Sequence, residues 1–367
     1  MRINTIKLIN FRNFKDFQLN FSKDINILIG KNAQGKTNLI ESFYVLSVCR
    51  SFRTHISQQL ISFGEEFSRL ETNIISNSRP LHLEMILTGK NKKARINNVD
   101  IGKTSEFVGY LNVVVFTPDD LYLIKGGPGQ RRRFIDLELS KISPIYLFNL
   151  SKYNRLLKER NKFLKILKEK NRYSDSYLDV LNEQMAELQV ELIKKRLVFI
   201  DKLSRLSSDI YRKIAGNHES IYFSYKSFIS LKNENLYDLI IEKYNKNSER
   251  DIRYAQTQDG IHKDDLRMMI NGKEASLYAS QGQQRTIVLS IKIALLELIK
   301  EEIGEYPVLL LDDVLSELDD TRKSMLLNLL DQKIQTFITT TSIEDIADDI
   351  LKNADIFEIE NGKLKEA

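Results

Sequence analysis

A chain of 367 residues, 42% of them hydrophobic, is long enough to bury a full core and to form two lobes. A single cysteine, Cys49, excludes an intrachain disulfide framework and suits a reducing cytoplasm as a small apolar residue on the first helix; the scattered His55, His82, His218 and His262 lack transition-metal spacing. The net charge is only +5, no apolar run approaches ~18 residues, and the N-terminus has no signal-peptide core, so a cytoplasmic protein without a membrane partner is expected.

Residues 1–115 alternate short apolar runs with turns, a mixed β-rich half that includes an Asn97-Asn98 hairpin signal. Within it, Ile25-Asn26-Ile27-Leu28-Ile29 leads into Gly30-Lys31-Asn32-Ala33-Gln34-Gly35-Lys36-Thr37, a complete G-x-x-x-x-G-K-T loop, followed by Asn38 and the helical stretch Leu39 to Val48. A phosphate site requires this order. A strand delivers the loop, glycines let backbone N–H groups close on the phosphates, and the following helix aims its positive end at them. Lys36 is placed to reach the β- and γ-phosphates and Thr37 to ligate Mg²⁺.

Between Pro128 and about Gly216 the pattern turns helical. Pro144 opens one long helix to about Arg172, and Ser174 caps a second that reaches Ile214. At 1.5 Å per residue each is roughly 40 to 60 Å long, which reads as an antiparallel pair standing off the rest. Residues 151–172 carry nine basic residues against Glu159 and Glu169, a balance of +7, while 173–215 holds seven of each sign. Lys158, Lys162 and Lys165 are the candidates for contact with a DNA phosphate backbone, without base reading. The alternative is a solvated helix face, because charge runs usually serve solubility.

From Tyr222 the chain returns to strands, with a second hairpin at Asn271-Gly272 and a closing strand near Ile356 to Ile359. Ser280-Gln281-Gly282-Gln283-Gln284-Arg285 opens the amphipathic stretch Ile287 to Ile299 and is an anion site at a helix N-terminus or simply a helix cap. Pro307-Val308-Leu309-Leu310-Leu311-Asp312-Asp313 has the form of a buried parallel strand whose carboxyl end faces a ligand crevice. Asp312 then holds Mg²⁺ through its water shell, and Asp313 faces the attacking water as general base. The plainer alternative is a buried strand that ends in a solvated acidic turn.

In type and order these segments resemble the ABC ATPases. Residues 30–37 match Walker A, 307–313 match Walker B, Ser280 to Gln283 match the signature (with Gln281 where many members carry Gly), and Ser316-Glu317-Leu318-Asp319 match the D-loop. Asn10-Phe11-Arg12-Asn13-Phe14 is similar to the entry motif of SMC-like DNA-repair ATPases, where the arginine lies near the nucleotide phosphates. More specifically, Pro118-Asp119-Asp120, the run Leu123 to Asp136 and Leu311 to Asp319 resemble the RecF family, a likeness that covers essentially the whole chain.

That resemblance implies an α/β fold: an ABC-type P-loop ATPase head with mixed β-sheets and a helical insertion lobe, the short antiparallel helix pair. Residues 1–127 and 217–367 form the two parts of the head and 128–216 the lobe. It implies ATP and Mg²⁺ as cofactors. It also implies a homodimer on ATP binding, in which Ser280, Gly282 and Gln283 complete the second copy's site. The partners implied are double-stranded and gapped DNA, RecO- and RecR-type mediators, and RecA. Three departures stand out. Phe337 to Ser342 offers Thr341 or a neighbour where the class has a histidine, Asp119 takes the place of the Q-loop glutamine by position only, and Asp313 replaces a glutamate, which implies a weak, DNA-stimulated ATPase. Arg131, Arg132 and Arg133 either touch DNA or couple the lobe to the ATP site. Competing readings are another SMC-like DNA clamp ATPase, an ABC transporter nucleotide-binding subunit, and a DNA-binding scaffold with a vestigial site.

Overall fold

The computed structural model describes residues 1–367 except 90, 217, 233–234, 316–317, 320–321, 324–325, 327–333, 344–345, 347 and 366–367. Strands β1 (Arg2–Phe11), β2 (Phe14–Asn20) and β3 (Ile25–Ile29) precede helix α1 (Lys36–Val48); β4 (Phe67–Ser76), β5 (Arg79–Thr88), β6 (Lys92–Ile96), β7 (Val99–Ile101) and β8 (Val113–Phe116) follow. Next come α2 (Tyr122–Lys125), α3 (Pro128–Ile142), α4 (Pro144–Glu169), α5 (Ser176–Ala215), β9 (Ile221–Lys226), α6 (Leu236–Lys246) and α7 (Ser248–Tyr254). The hairpin β10 (Asp265–Ile270) and β11 (Lys273–Glu274) leads to α8 (Ala275–Tyr278) and α9 (Gln281–Ile303). Strands β12 (Val308–Asp312), β13 (Thr336–Thr340), β14 (Ala354–Glu360) and β15 (Lys363–Leu364) complete the described elements, with a short helix, Asp348–Asn353, before β14. Among the described residues no helix is long and apolar enough to cross a membrane.

The chain divides into two compact units, one of residues 1–121, 210–216 and 286–367, the other of 122–209 and 217–285. The first unit holds two six-stranded sheets, an antiparallel one ordered β2-β1-β4-β5-β6-β7 and a largely parallel one ordered β15-β14-β3-β13-β12-β8. In the parallel sheet β12 and β13 are buried along their whole length, which is why Val308 to Leu311 reads as an unbroken apolar run. Helix α1 packs there through a ring cluster, with Phe43 and Phe21 each against Phe337 at 4.6 and 4.8 Å between centroids. Cys49 ends this helix rather than sitting within it. Its backbone is left-handed (φ 57°), it caps onto the Val45 carbonyl, and burial pushes its thiol up to about 12.

In the second unit α4 and α5 run antiparallel. Residue pairs lock in descending register: Tyr146 with Arg196, Arg160 with Asn182, and Phe163 with Tyr177. Ser143 caps α4 before Pro144, the expected start. Asp175, not Ser174, steadies the first turn of α5, accepting from the Tyr177 amide at 3.0 Å. The basic run also needs correction: Arg160 is fully buried, with its guanidinium 2.8 Å from Asp251, so it is no part of a cationic surface. Such a pair holds geometry more than it adds net stability. Both expected hairpin turns form, with positive φ at Asn97, Asn98, Asn271 and Gly272, the turn type that matches strand twist.

A candidate nucleotide site

Three segments far apart in sequence converge on one carboxylate oxygen. Thr37, at the start of α1, donates its hydroxyl to Asp312 Oδ1 at 2.8 Å, and Thr339 on β13 donates to the same atom at 2.9 Å. The Thr339 oxygen in turn accepts from the Asp313 amide at 2.9 Å. The sheet order imposes this meeting: β13 lies between β3, which delivers the loop, and β12, which ends at Asp312. Burial raises Asp312 above the ordinary carboxylate range, and the hydroxyls of Thr37 and Thr339 pull it back toward ionisation. Lys36 is buried, its ammonium 2.6 Å from the Gly30 carbonyl and 3.1 Å from that of Lys31; burial lowers its pKa, against the pull of Asp313 and Asp312.

Oxygen donors at this distance fit Mg²⁺: one hydroxyl and one carboxylate, with phosphate oxygens and water for the remaining positions. The loop fits a polyphosphate. Lys31, Asn32 and Ala33 are exposed at its tip, and Gly35 opens α1 with no side-chain cap of its own.

Residues the sequence reading did not single out hold this loop in place. Asn13, in the β1–β2 turn, donates to the Gln34 carbonyl at 2.9 Å and accepts from Asn38 at 2.8 Å. From the other side, the β14–β15 turn presses in. Gly362 donates its amide to the Gln34 carbonyl at 3.0 Å, Asn361 donates to Gln34 Oε1 at 2.6 Å, and a Cβ on Gly30 would lie 2.4 Å from the Ile359 carbonyl oxygen. Glycine at position 30 is therefore required by its neighbours as well as by phosphate. An Asn-Gly pair such as Asn361-Gly362 favours a turn, but nothing in the sequence ties it to the loop.

Arg12 extends two nitrogens to Glu41 at 2.8 and 2.7 Å and a third to the Gln59 carbonyl at 2.8 Å. Glu41 is fully buried on α1 and is also reached by Ser51 and by Arg53, which itself bonds Asn38 at 2.7 Å. The structure thus places Arg12 one turn of α1 from the loop, held by a carboxylate. At the end of β13, Thr339 serves Asp312 and Thr340 bonds back to the Ser342 carbonyl at 2.7 Å, whereas Thr341 is exposed beyond the strand. Asp120 pairs with Lys292 at 2.6 Å and caps the Thr117 amide; Asp119 is exposed.

The signature segment belongs to the second unit up to Arg285. Ser280 and Gln283 form a reciprocal capping box, at 2.8 Å from the Ser280 amide to Gln283 Oε1 and 3.2 Å from the Gln283 amide to Ser280 Oγ. Gly282 lies in the first turn of α9 that this box secures. Ser316 and Glu317 of the expected D-loop lie outside the described residues; Asp319 pairs with Arg322, which also donates to Thr286 at 2.6 Å. Lys158, Lys162 and Lys165 are exposed on one face of α4. Arg131 is spent on Asp265, at 2.7 and 2.9 Å, and Arg132 on the Asp264 carbonyl at 2.6 Å, which makes both structural pins of the second unit.

Residues 2–365 match the family described as the RecF/RecN/SMC N terminal domain. The DNA replication and repair protein RecF of Staphylococcus carnosus is 43% identical, over 99% of this chain and 100% of its own, and that of Listeria welshimeri is 43% identical over 100% of both. A solved structure of the recombination mediator protein RecF with ATP, in the RecFOR pathway, superposes with a TM-score of 0.92 at 34% identity, over 100% of this chain and 97% of that one. The Smc head domain of Pyrococcus furiosus shares the fold, with a TM-score of 0.56 at 17% identity over 99% and 95%. Likeness of this extent, over a site assembled from the same ordered motifs, means that the chain belongs to the RecF family of ABC-type ATPases.

Proposed function

We propose that this protein is a cytoplasmic ATP-dependent switch of recombinational repair and replication. It binds MgATP in the loop of residues 30–37, dimerises around two nucleotides, engages double-stranded DNA at single-strand gaps, and helps load RecA with RecO- and RecR-type partners. The observation that supports this reading is the shared Asp312 oxygen, at which the loop, the end of β12 and β13 meet. Thr37 and Asp312 would hold Mg²⁺, which when bound would supply positive charge for the phosphates; Lys36 neutralises phosphate charge, and Asp313 orients and deprotonates the attacking water.

Because Asp313 is one methylene shorter than glutamate, hydrolysis is slow, as suits a clamp that must stay closed while partners assemble. Exposed Thr341 senses the γ-phosphate, and Ser280, Gly282 and Gln283 reach the nucleotide of the second copy. Sedimentation with and without ATP and gapped duplex DNA tests the whole reading. A dimer that needs both ATP and Lys36 is expected, and a monomer under all conditions defeats it.

A further inference from the structure

The first unit contains a cavity of about 270 Å³ lined by Arg50, Ser51, Thr54, His55, Leu60 and Lys92. It is well above the ~10–15 Å³ that seats one water. Its wall is cationic and hydroxylic, and no carboxylate lines it. Arg50 and His55 are exposed at its edge, and half-buried Lys92 reaches inward, donating to the Cys49 carbonyl at 2.7 Å. Arg50 and Lys92 repel one another: burial lowers Lys92, Cys49 opposes that, and the nearby guanidinium adds to the lowering. The Ser51 and Thr54 hydroxyls are committed to Glu41 and Gln59, so the two cations face the cavity with no carboxylate among its lining, a charge deficit that a compact oxyanion relieves.

We propose that this cavity binds a phosphate group, with Arg50 and Lys92 as its charged partners. Ser51 connects it to the nucleotide site, since its hydroxyl donates to the buried Glu41 that holds Arg12 and Arg53. The phosphate comes from a DNA backbone or from a free phosphate group. The first source rests on the proposed function; the chemistry of the cavity does not.

The test uses full-length protein with its phosphate loop filled by Mg²⁺ and a non-hydrolysable ATP analogue, titrated with inorganic phosphate and, separately, with duplex DNA over a salt series. The double variant Arg50→Ser, Lys92→Met removes both charges while keeping the bulk of the lysine stem. Wild type is expected to show phosphate-dependent thermal stabilisation, and the double variant at least tenfold weaker phosphate binding with unchanged affinity for the analogue. A backbone source lowers the slope of log K against log salt by about 0.9 per lost contact. An unchanged slope together with lost phosphate binding assigns a free phosphate group. Wild type and variant indistinguishable in both arms would overturn the proposal. A wild type that takes the analogue but no DNA defeats the DNA reading above and leaves the phosphate arm standing.

Discussion

Gly362 lies against the backbone of Asn13, so close that a Cβ at position 362 would stand 2.4 Å from the Asn13 carbonyl oxygen. Its φ of +72° is also one that side chains rarely adopt. Since both residues bond Gln34, the contact sets the position of the phosphate loop. Gly362→Ala is expected to weaken MgATP binding by on the order of tenfold, a misplacement effect. Gly64→Ala is the control, with φ +86° but open space around it. Equal ATP affinities for the two variants in a calorimetric titration would detach the hairpin from the site.

Asp313 has a φ of 52°, a conformation that asparagine tolerates as well as aspartate. Asp313→Asn therefore tests chemistry without straining the backbone. It is expected to bind ATP normally and to lose turnover by about 10²-fold or more in single-turnover measurements, whereas Lys36→Ala fails at nucleotide binding. Wild-type chemistry in Asp313→Asn would pass the role of base to another group.

Dimer closure is expected to depend on Ser280. Because that residue also caps α9, any substitution costs about 1 kcal/mol of helix stability, and Ser280→Ala supplies that baseline. Ser280→Arg adds bulk and charge where, in the proposed dimer, a second copy's γ-phosphate would dock. Sedimentation with ATP should show dimer for Ser280→Ala and monomer for Ser280→Arg; dimer in both would remove the signature from the interface.

Charge reversal of Lys158, Lys162 and Lys165 to glutamate should weaken DNA binding uniformly across sequences. Each lost phosphate contact takes about 0.9 from the salt slope. A slope equal to that of wild type would leave the lysines as a solvated helix face.

The second unit carries two buried groups that titrate in opposite senses. Burial pushes His262 down to about 4, where its Nδ1 accepts from Tyr153 at 2.7 Å, and pushes Asp264 up to about 6. His262 adds stability that is complete above its unfolded value of about 6.5 and is lost as pH falls toward 4. Asp264 disfavours the fold as pH rises from about 4 to 6, so the two contributions offset one another in that window. His262→Gln removes one of them. Its stability relative to wild type should rise by about 3 kcal/mol between pH 7 and pH 4 in denaturant titrations. A constant difference would show that His262 does not titrate with folding.

The nucleotide half of the site was legible because its chemistry demands residue types at fixed spacing. Gly30 to Thr37 and Asp312 each announce a strand, a loop and a ligand. Thr339 was hidden because a buried threonine in a strand looks like any β-branched residue until the sheet order sets it beside Asp312. Glu41 was hidden for the opposite reason: a single carboxylate in the apolar run of α1 has no periodic signature, and only the fold supplies its two arginines. Arg160 was misread because counting charges cannot distinguish a lysine on the open face of α4 from an arginine facing Asp251, ninety-one residues away. The cap at Ser280 and the helix start at Pro144 were local, and so could be read.

The strand that delivers the phosphate loop is made within the first 29 residues, yet both of its sheet neighbours, β13 and β14, come after residue 335. During synthesis β3 therefore waits through most of the chain with both edges unpaired, and the loop gains its far wall only when Gly362 arrives. A polypeptide released early has the Walker A residues without the strands and turn that frame them in the finished fold.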